Sequence, residues 1–206
     1  MITSPAYSGA AFGTARDGDL FNDELARRRV AHELQVPADW AWARQVHGDQ
    51  ALEASAPGVV GEGDILFTTR PHLPVAVRTA DCVPVAIHAE GAVAIVHAGW
   101  RGLRAGAIER ARQSLESAGH PPHRAALGPA IGPCCYEVGE EVLESFPGSA
   151  SFTTWGSPSL DLWSEAARRL EPLPVWRADL CTHCEGQFHS YRLDSTDLRQ
   201  TSVAWQ

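Results

Sequence analysis

The chain has no lysine. All 17 of its basic residues are arginine, which excludes Schiff-base chemistry and the lysine-dependent Walker-type phosphate loop. An anion must therefore be held by arginine, backbone amides or a metal. Positive charge is scarce overall, since 25 acidic residues against 17 basic ones give a formal net charge of -8. No basic footprint marks the chain as a partner for nucleic acid or for an anionic membrane. No apolar stretch reaches the roughly 18 residues that would cross a bilayer. Met1 to Ala11 shows neither the positive start nor the long apolar run of a secretory signal. A cytoplasmic protein is the expectation. Methionine occurs only as Met1, and the nine histidines include no His-X-His pair. A multicopper oxidase needs such pairs together with a His-Cys-His copper set that an axial Met usually completes. Five cysteines are an odd count in a chain too long to need disulfide staples, which favours free thiols or metal ligation.

With 206 residues, 44% hydrophobic and 20% charged, the chain can bury one substantial core, and one domain over residues 1–206 is expected. Asp23 to Leu34 carries Leu25, Val30 and Leu34 at helical spacing and stops before Pro37. Short runs rich in Val and Ile follow at Trp40 to Val46, Asp64 to Thr69, Val75 to Arg78, Val83 to Ala89 and Ala92 to His97. These read as strands, several of them buried on both faces. Gly91 beside Glu90 suits a tight hairpin turn between the last two. Leu103 to Ala118 places Leu103, Ala107, Ile108, Ala111 and Leu115 on one stripe and meets Gly119, which predicts the best-defined helix. Helices are also expected at Gly139 to Phe146 and Leu160 to Leu170, and strands near Arg124 to Leu127, Val175 to Arg177 and Ser202 to Trp205. This order points to an α/β or α+β fold, a mixed β-sheet flanked by helices.

The chemistry concentrates where strands end. His47 lies in RQVHG, Cys82 in RTADCVP and His97 in VHAGWRG, each at or just beyond the end of an expected strand, where rigid backbone presents side chains to a cleft. Two imidazoles and a thiolate suit zinc, and three protein ligands leave the fourth tetrahedral position for water or substrate, as catalytic zinc sites do. A buried cysteine beside two hydrogen-bonded histidines would give the same pattern. Asp81, next to Cys82, reads as a general base or an anchor for the ligand, or else as a turn residue. Arg101 stands near the start of the helix at Leu103, where amide dipoles and a guanidinium together suit phosphate; the alternative is a solvated arginine. Alternation along the preceding strand puts Gln45, and not Arg44, on the face of His47. Cys134 and Cys135 sit in a Gly-Pro loop that either lines the cleft or is structural. Cys181 and Cys184 form one CxxC around His183, which without a second pair reads as ordinary free thiols. Trp40, Trp42, Trp155, Trp163 and Trp176 read as core residues.

The segments RQVHG, TADCVP, HAGWRG and LGPAIGPCCYEVG, in this order, resemble the motif set of the laccase-like polyphenol oxidoreductase family, also described as the peptidoglycan editing factor and purine nucleoside phosphorylase family. The likeness extends from Phe12-Gly13 to Ser190-Tyr191-Arg192. It implies zinc at His47, Cys82 and His97, phosphorolysis of nucleosides of the adenosine, inosine, guanosine and methylthioadenosine class, and deamination of adenosine. Its implied partners are small molecules, a purine nucleoside and phosphate. Copper ranks behind zinc as the metal, although its intrinsic affinity for such donors is higher. Three other readings stay in view: a thiol or zinc hydrolase that edits peptidoglycan precursors, with Cys82 as nucleophile activated by His97; a copper-binding polyphenol oxidoreductase; and a binding module without turnover. Two segments depart from the family pattern. The Ser-Leu-Asn-Leu-Gly stretch is replaced by TARDGDLFND after Gly13, and Tyr-Arg-Arg-Asp appears as Tyr191-Arg192-Leu193-Asp194.

Overall fold

The computed structural model describes residues 1–4 and 7–206. The strands form two six-stranded sheets. The first runs, in spatial order, β1 (Ile2–Ser4), β2 (Tyr7–Phe12), β14 (Gln200–Ala204), β7 (Val75–Thr79), β3 (Ala41–Arg44) and β5 (Gly58–Glu62). The second runs β13 (Val175–Arg177), β10 (Pro122–Leu127), β8 (Val83–Ala89), β9 (Ala92–Ala98), β6 (Ile65–Thr68) and β4 (Ala51–Glu53). A separate ribbon pairs β11 (Ala150–Phe152) with β12 (Pro158–Leu160). Both large sheets are mixed: β3 pairs in parallel with β7 and β5, while β14 meets β7 antiparallel. In the second, β10, β8, β9 and β6 are antiparallel and the outer strands β13 and β4 are parallel to their neighbours.

The fold class is the expected α/β, but the strands divide between two packed sheets where one was expected. The cause is visible in β8 and β9, every residue of which is buried. Successive side chains point to opposite faces. Ala86, Val93 and Ile95 pack with Ala41, Val75 and Val77 of the first sheet. Val85, Ile87, Ala94 and Val96 pack with Leu103, Ile108, Leu115, Trp163 and Leu170 on the other side. Strands apolar on both faces thus sit between a second sheet and a helical layer. The hairpin turn at Glu90-Gly91 is as expected, with Ala89 facing Ala92 and Gly91 at φ +73°.

The helices are α1 (Glu24–Leu34), α2 (Trp100–Ala105), α3 (Ala107–Ser117), α4 (Glu140–Glu144), α5 (Leu162–Leu170) and α6 (Tyr191–Asp194). α1 covers the outer face of the first sheet through Val30 and Ala31, which meet Trp40, Trp42, Ala76 and Val203. Asp23 caps it by accepting from the amides of Leu25 and Ala26. Leu25, placed on the apolar stripe by its spacing, is instead 79% exposed because it lies in the first turn, off the packed face. α3 and α5 cover the second sheet, so the layers run helix, sheet, sheet, helices. The helix expected from Leu103 starts earlier, at Trp100, and breaks at Gly106. There the chain turns left-handed at φ +92°, the Gly106 amide closing α2 on the carbonyls of Gly102 and Leu103. The stripe survives the break: Leu103, Ala107, Ile108, Ala111 and Leu115 are all fully buried, and truncating Leu115 to alanine should cost about 2–5 kcal/mol. Leu160 belongs to β12, and α5 begins after Asp161, whose carboxylate accepts from the Ser164 amide. Among the described residues no helix is long and apolar enough to cross a membrane.

Candidate metal centre and its cleft

His47, Cys82 and His97 come together from three elements, with their ligand atoms all within 4.8 Å of one another. Pairing of β3 stops at Arg44, short of the expected Val46, and frees the following turn to carry His47 out of the sheet at φ +62°. Cys82 precedes β8 and follows Asp81, itself at φ +95°. His97 lies near the end of β9, directly across from Pro84. Two non-glycine residues with positive φ flanking or forming one site mark backbone held out of its ordinary range by its surroundings. The imidazoles of His47 and His97 meet edge to face with ring centroids 4.8 Å apart. Gly99 makes room for the set: a Cβ there would stand 2.8 Å from the Cys82 sulfur and 3.5 Å from His47.

Asp64 organises the centre, and no sequence motif singled it out. Its side chain is fully buried. Oδ1 accepts from His97 Nδ1 at 2.7 Å and from the His47 amide at 3.0 Å, while Oδ2 accepts from the amides of Val46 and Gly48 at 3.1 and 2.8 Å. One carboxylate therefore shapes the loop that bears His47 and orients the ring of His97. Burial opposes its ionisation, but the hydrogen bond from His97 and those from the amides outweigh it and hold the carboxyl below its usual range. A carboxylate can only accept, so His97 carries its proton on Nδ1 and leaves Nε2 for a metal, the arrangement that fixes ring orientation in carboxylate-histidine-metal sites. Burial likewise opposes charge on Cys82 and His97. Even so, His97 and His47 draw the Cys82 thiol down to about 6, and Cys82 and Asp64 push His97 up to about 9. The donor set of one anionic sulfur and two imidazole nitrogens, with a buried carboxylate behind one ring, fits zinc.

The centre opens into a cleft of about 650 Å³, within the size range of small-molecule sites. Arg44, Arg78, Arg101, Arg192 and Arg199 line it, together with Trp100, Tyr136 and Tyr191 and the acids Asp81 and Asp197. A cleft this rich in arginine stands out in a chain of net charge -8. Arg101 is exposed at the start of α2, its guanidinium 4.5 Å from the Trp100 ring centre. Asp81 is buried in the wall. Its Oδ1 accepts from Thr182 Oγ1 and its Oδ2 from the Arg192 amide, each at 2.7 Å. Gln45 and Arg44 both reach the cleft, although alternation favoured Gln45. The Gln45 amide donates to the Arg78 carbonyl at 2.7 Å and accepts from the Arg78 amide at 2.8 Å, clamping the end of β3 to β7.

Sequence reasoning assigned no role to Arg78, Arg199, Trp100, Tyr136 or Tyr191, although Trp100, Tyr136 and Tyr191 lie within the quoted segments. The signals of an anion site were Arg101 at a helix start and the absence of lysine, which leaves arginine as the basic residue to hold phosphate. Of the tryptophans assigned to the core, Trp40, Trp42 and Trp163 are buried and Trp176 is partly so. Trp155 is 55% exposed, on the turn between β11 and β12, with its indole donating to Glu137. The fold also gives the CxxC pair the second pair it lacked: the sulfurs of Cys134, Cys135, Cys181 and Cys184 lie within 4.8 Å of one another.

A family model for multi-copper polyphenol oxidoreductase laccases matches residues 2–206. The chain belongs to this family. Among its relatives, purine nucleoside phosphorylase YfiH of Escherichia coli (strain K12) is 35% identical over an alignment spanning 99% of this chain and 89% of that protein. Purine nucleoside phosphorylase ORF3 of Streptomyces griseus is 34% identical over 96% of this chain and 89% of its own. Among solved structures, YlmD from Geobacillus stearothermophilus superposes with a TM-score of 0.82 at 28% identity, covering 98% of this chain and 94% of that one. The matched residues span both sheets and the segments that carry His47, Cys82 and His97.

Proposed function

We propose that the chain is a zinc-dependent purine nucleoside phosphorylase that also deaminates adenosine, with residues 1–206 acting as one domain around one cleft. The observation that carries this reading is the three-ligand set opening onto a wall that combines five arginines with Trp100, Tyr136 and Tyr191. Guanidinium groups bind phosphate through paired hydrogen bonds, and aromatic faces suit a purine ring. The names of relatives about 35% identical support the same reaction. Adenosine, inosine, guanosine and methylthioadenosine are the substrates it would take.

His47, Cys82 and His97 would hold the zinc. When bound, zinc supplies Lewis acidity that stabilises negative charge developing on oxygen and makes water more acidic. Phosphorolysis asks the chain to bring a phosphate oxygen to the anomeric carbon and to stabilise the departing base, which is mainly positioning and electrostatics. Arg101 serves the first need as the phosphate clamp nearest the ligands in sequence. Deamination asks for a proton carrier, a role given to Asp81. Each of its oxygens accepts one hydrogen bond and keeps a further lone pair, and those bonds fix the direction in which it points. Copper would find the same donors, but one His2Cys set with methionine present only as Met1 is not the constellation of a multicopper oxidase.

Incubating the purified protein with adenosine tests the proposal. Adenine and ribose 1-phosphate should form only when phosphate is present, and inosine with ammonia should form with or without it. Absence of all four products from zinc-loaded protein would refute the assignment.

One observation favours a second reading. Asp64, His97 and Cys82 follow one another as acid, base and thiol, and the Cys82 thiol is drawn down to about 6, as in a hydrolase with a thiol nucleophile. On that reading the substrate is a peptidoglycan precursor, and stoichiometric zinc would silence the thiolate.

A further inference from the structure

We propose that Cys134, Cys135, Cys181 and Cys184 form a second metal site, a structural tetrathiolate for zinc, separate from the cleft. The two pairs lie on irregular segments that the backbone already joins. Ala130 and Cys181 form a parallel bridge, with the Ala130 amide donating to the Leu180 carbonyl and the Thr182 amide to the Ala130 carbonyl. The amides of Cys135 and Tyr136 both donate to the Gly132 carbonyl at 3.0 Å, folding the Gly-Pro-Cys-Cys loop into a turn that faces the CxxC.

The spacing suits a metal better than a disulfide. Zinc with sulfur ligands at about 2.3 Å in a tetrahedron sets its sulfurs about 3.8 Å apart. Cys134 and Cys184 are 3.9 Å apart and no pair exceeds 4.8 Å, so ligation needs a contraction of less than about 1 Å. A disulfide would need Cys134 and Cys184 to close to about 2.05 Å, and all five cysteines of the chain are free thiols. The Gly132 amide donates to the Cys181 sulfur at 3.2 Å, and the amides of His183 and Cys184 face the same sulfur. Such donors offset the two negative charges that remain when four thiols release their protons and bind a dication. Cys135 and Cys181 are buried, Cys134 is half-buried, and exposed Cys184 leaves a way in for the metal. Four thiolates fill a tetrahedron, so this site has no open position and its role is structural.

What the site would hold is the wall of the cleft. Tyr136 follows Cys135, and Thr182, inside the CxxC, donates to Asp81. Arg192, ten residues after Thr182 in sequence, donates to the Glu137 carbonyl at 2.6 Å and lies over Tyr136 at 4.9 Å. Two loops that share few ladder hydrogen bonds would be fixed to one another by the ion.

The test is metal content with zinc supplied during expression. The intact protein should carry two zinc equivalents per chain. The His47→Ala, Cys82→Ala, His97→Ala variant should carry one, and Cys181→Ser with Cys184→Ser should carry one. In the His47→Ala, Cys82→Ala, His97→Ala variant, cobalt(II) should give the intense long-wavelength absorption of a tetrathiolate. Should the Cys181→Ser, Cys184→Ser variant fail to fold, thiol counting on intact protein decides: all five cysteines, the four of this site and Cys82, should resist alkylation until a chelator is added. One equivalent in the intact protein, with Cys134, Cys135, Cys181 and Cys184 all alkylated at once, would overturn the proposal while leaving the cleft zinc standing. So would a Cys134–Cys184 disulfide in freshly purified protein.

Discussion

The His47–Cys82–His97 set and the four-cysteine set gather metal-binding donors on different scaffolds. The first hangs from the ends of β3, β7 and β9, is steadied by the buried carboxylate of Asp64, and has three donors facing a cleft. The second is carried by two loops with little ladder bonding of their own, and has four donors with none to spare for substrate. A ligand set fixed by strands can leave a coordination position open, because the sheet and not the metal maintains the geometry. A set borne by loops needs the full tetrahedron, because there the metal maintains the loops.

The largest effect should come from removing the support that only the first site has. Asp64→Asn takes away the charge that accepts from His97 and from three amides, so zinc affinity at that site should fall about 10–100-fold. Competition with a chromophoric chelator measures this, and the second zinc equivalent should be unaffected. Equal weakening of both equivalents would erase the distinction between the two scaffolds.

A comparable effect separates positioning of the anion from chemistry at the metal. Arg101→Ala removes a charged contact worth about 1.5–3 kcal/mol, so kcat/KM for phosphate should fall roughly 10- to 100-fold. Deamination of adenosine in the absence of phosphate should change far less. Parallel losses in the two reactions would remove Arg101 from the phosphate role.

A further effect lies away from both sites and tests the sheet that carries His97. His88 in β8 points its Nε2 at the carbonyls of Gly9 and Trp205 and takes a 2.6 Å hydrogen bond at Nδ1 from Tyr7. Carbonyls only accept, so Nε2 carries a proton, and with Nδ1 accepting from Tyr7 the ring is neutral. Burial, opposed by the hydrogen bond to Trp205 and aided by the nearby charge of Arg124, takes His88 down to about 4. Its pKa is therefore lower in the folded chain than in the unfolded one, and the unfolded chain binds the extra proton between about 6.5 and 4. Stability should be full above that window and fall as pH drops through it, by on the order of 2–3 kcal/mol. Thermal unfolding at pH 7.5 and pH 5 should show a loss that is reduced in His88→Gln. An identical loss in the variant would assign it to other groups.

How much of this was legible in the sequence depends on how local each signal is. The β8–β9 hairpin and the stripe from Leu103 to Leu115 were readable because unbroken apolar runs and 3.6-residue spacing are local patterns. The break at Gly106 was hidden because RAGAIER keeps the helical spacing on both sides of the glycine. β2, built of Tyr7 to Phe12 with small residues between, carries too little Val or Ile to signal a strand, and its pairing with β14 joins opposite ends of the chain. The candidate set of His47, Cys82 and His97 was legible as motifs at strand ends, and the structure brings the three together. Asp64 was not, since an aspartate at the head of an apolar run reads as the start of a strand until the loop at Val46 to Gly48 is seen folding back on it. Pairing of Cys134 and Cys135 with Cys181 and Cys184 is a tertiary fact that spacing does not carry.

The central claim, that Cys82 is a ligand of an open zinc centre, is tested most directly by its alkylation rate. Peptide mapping by mass spectrometry would follow Cys82 alone in zinc-loaded protein, before and after chelation, beside turnover of adenosine. As a ligand it should react slowly until the metal is stripped, and zinc and activity should then be lost together. Rapid modification of Cys82 in zinc-loaded protein, with turnover indifferent to the chelator, would contradict the zinc centre and make Cys82 the nucleophile of a hydrolase.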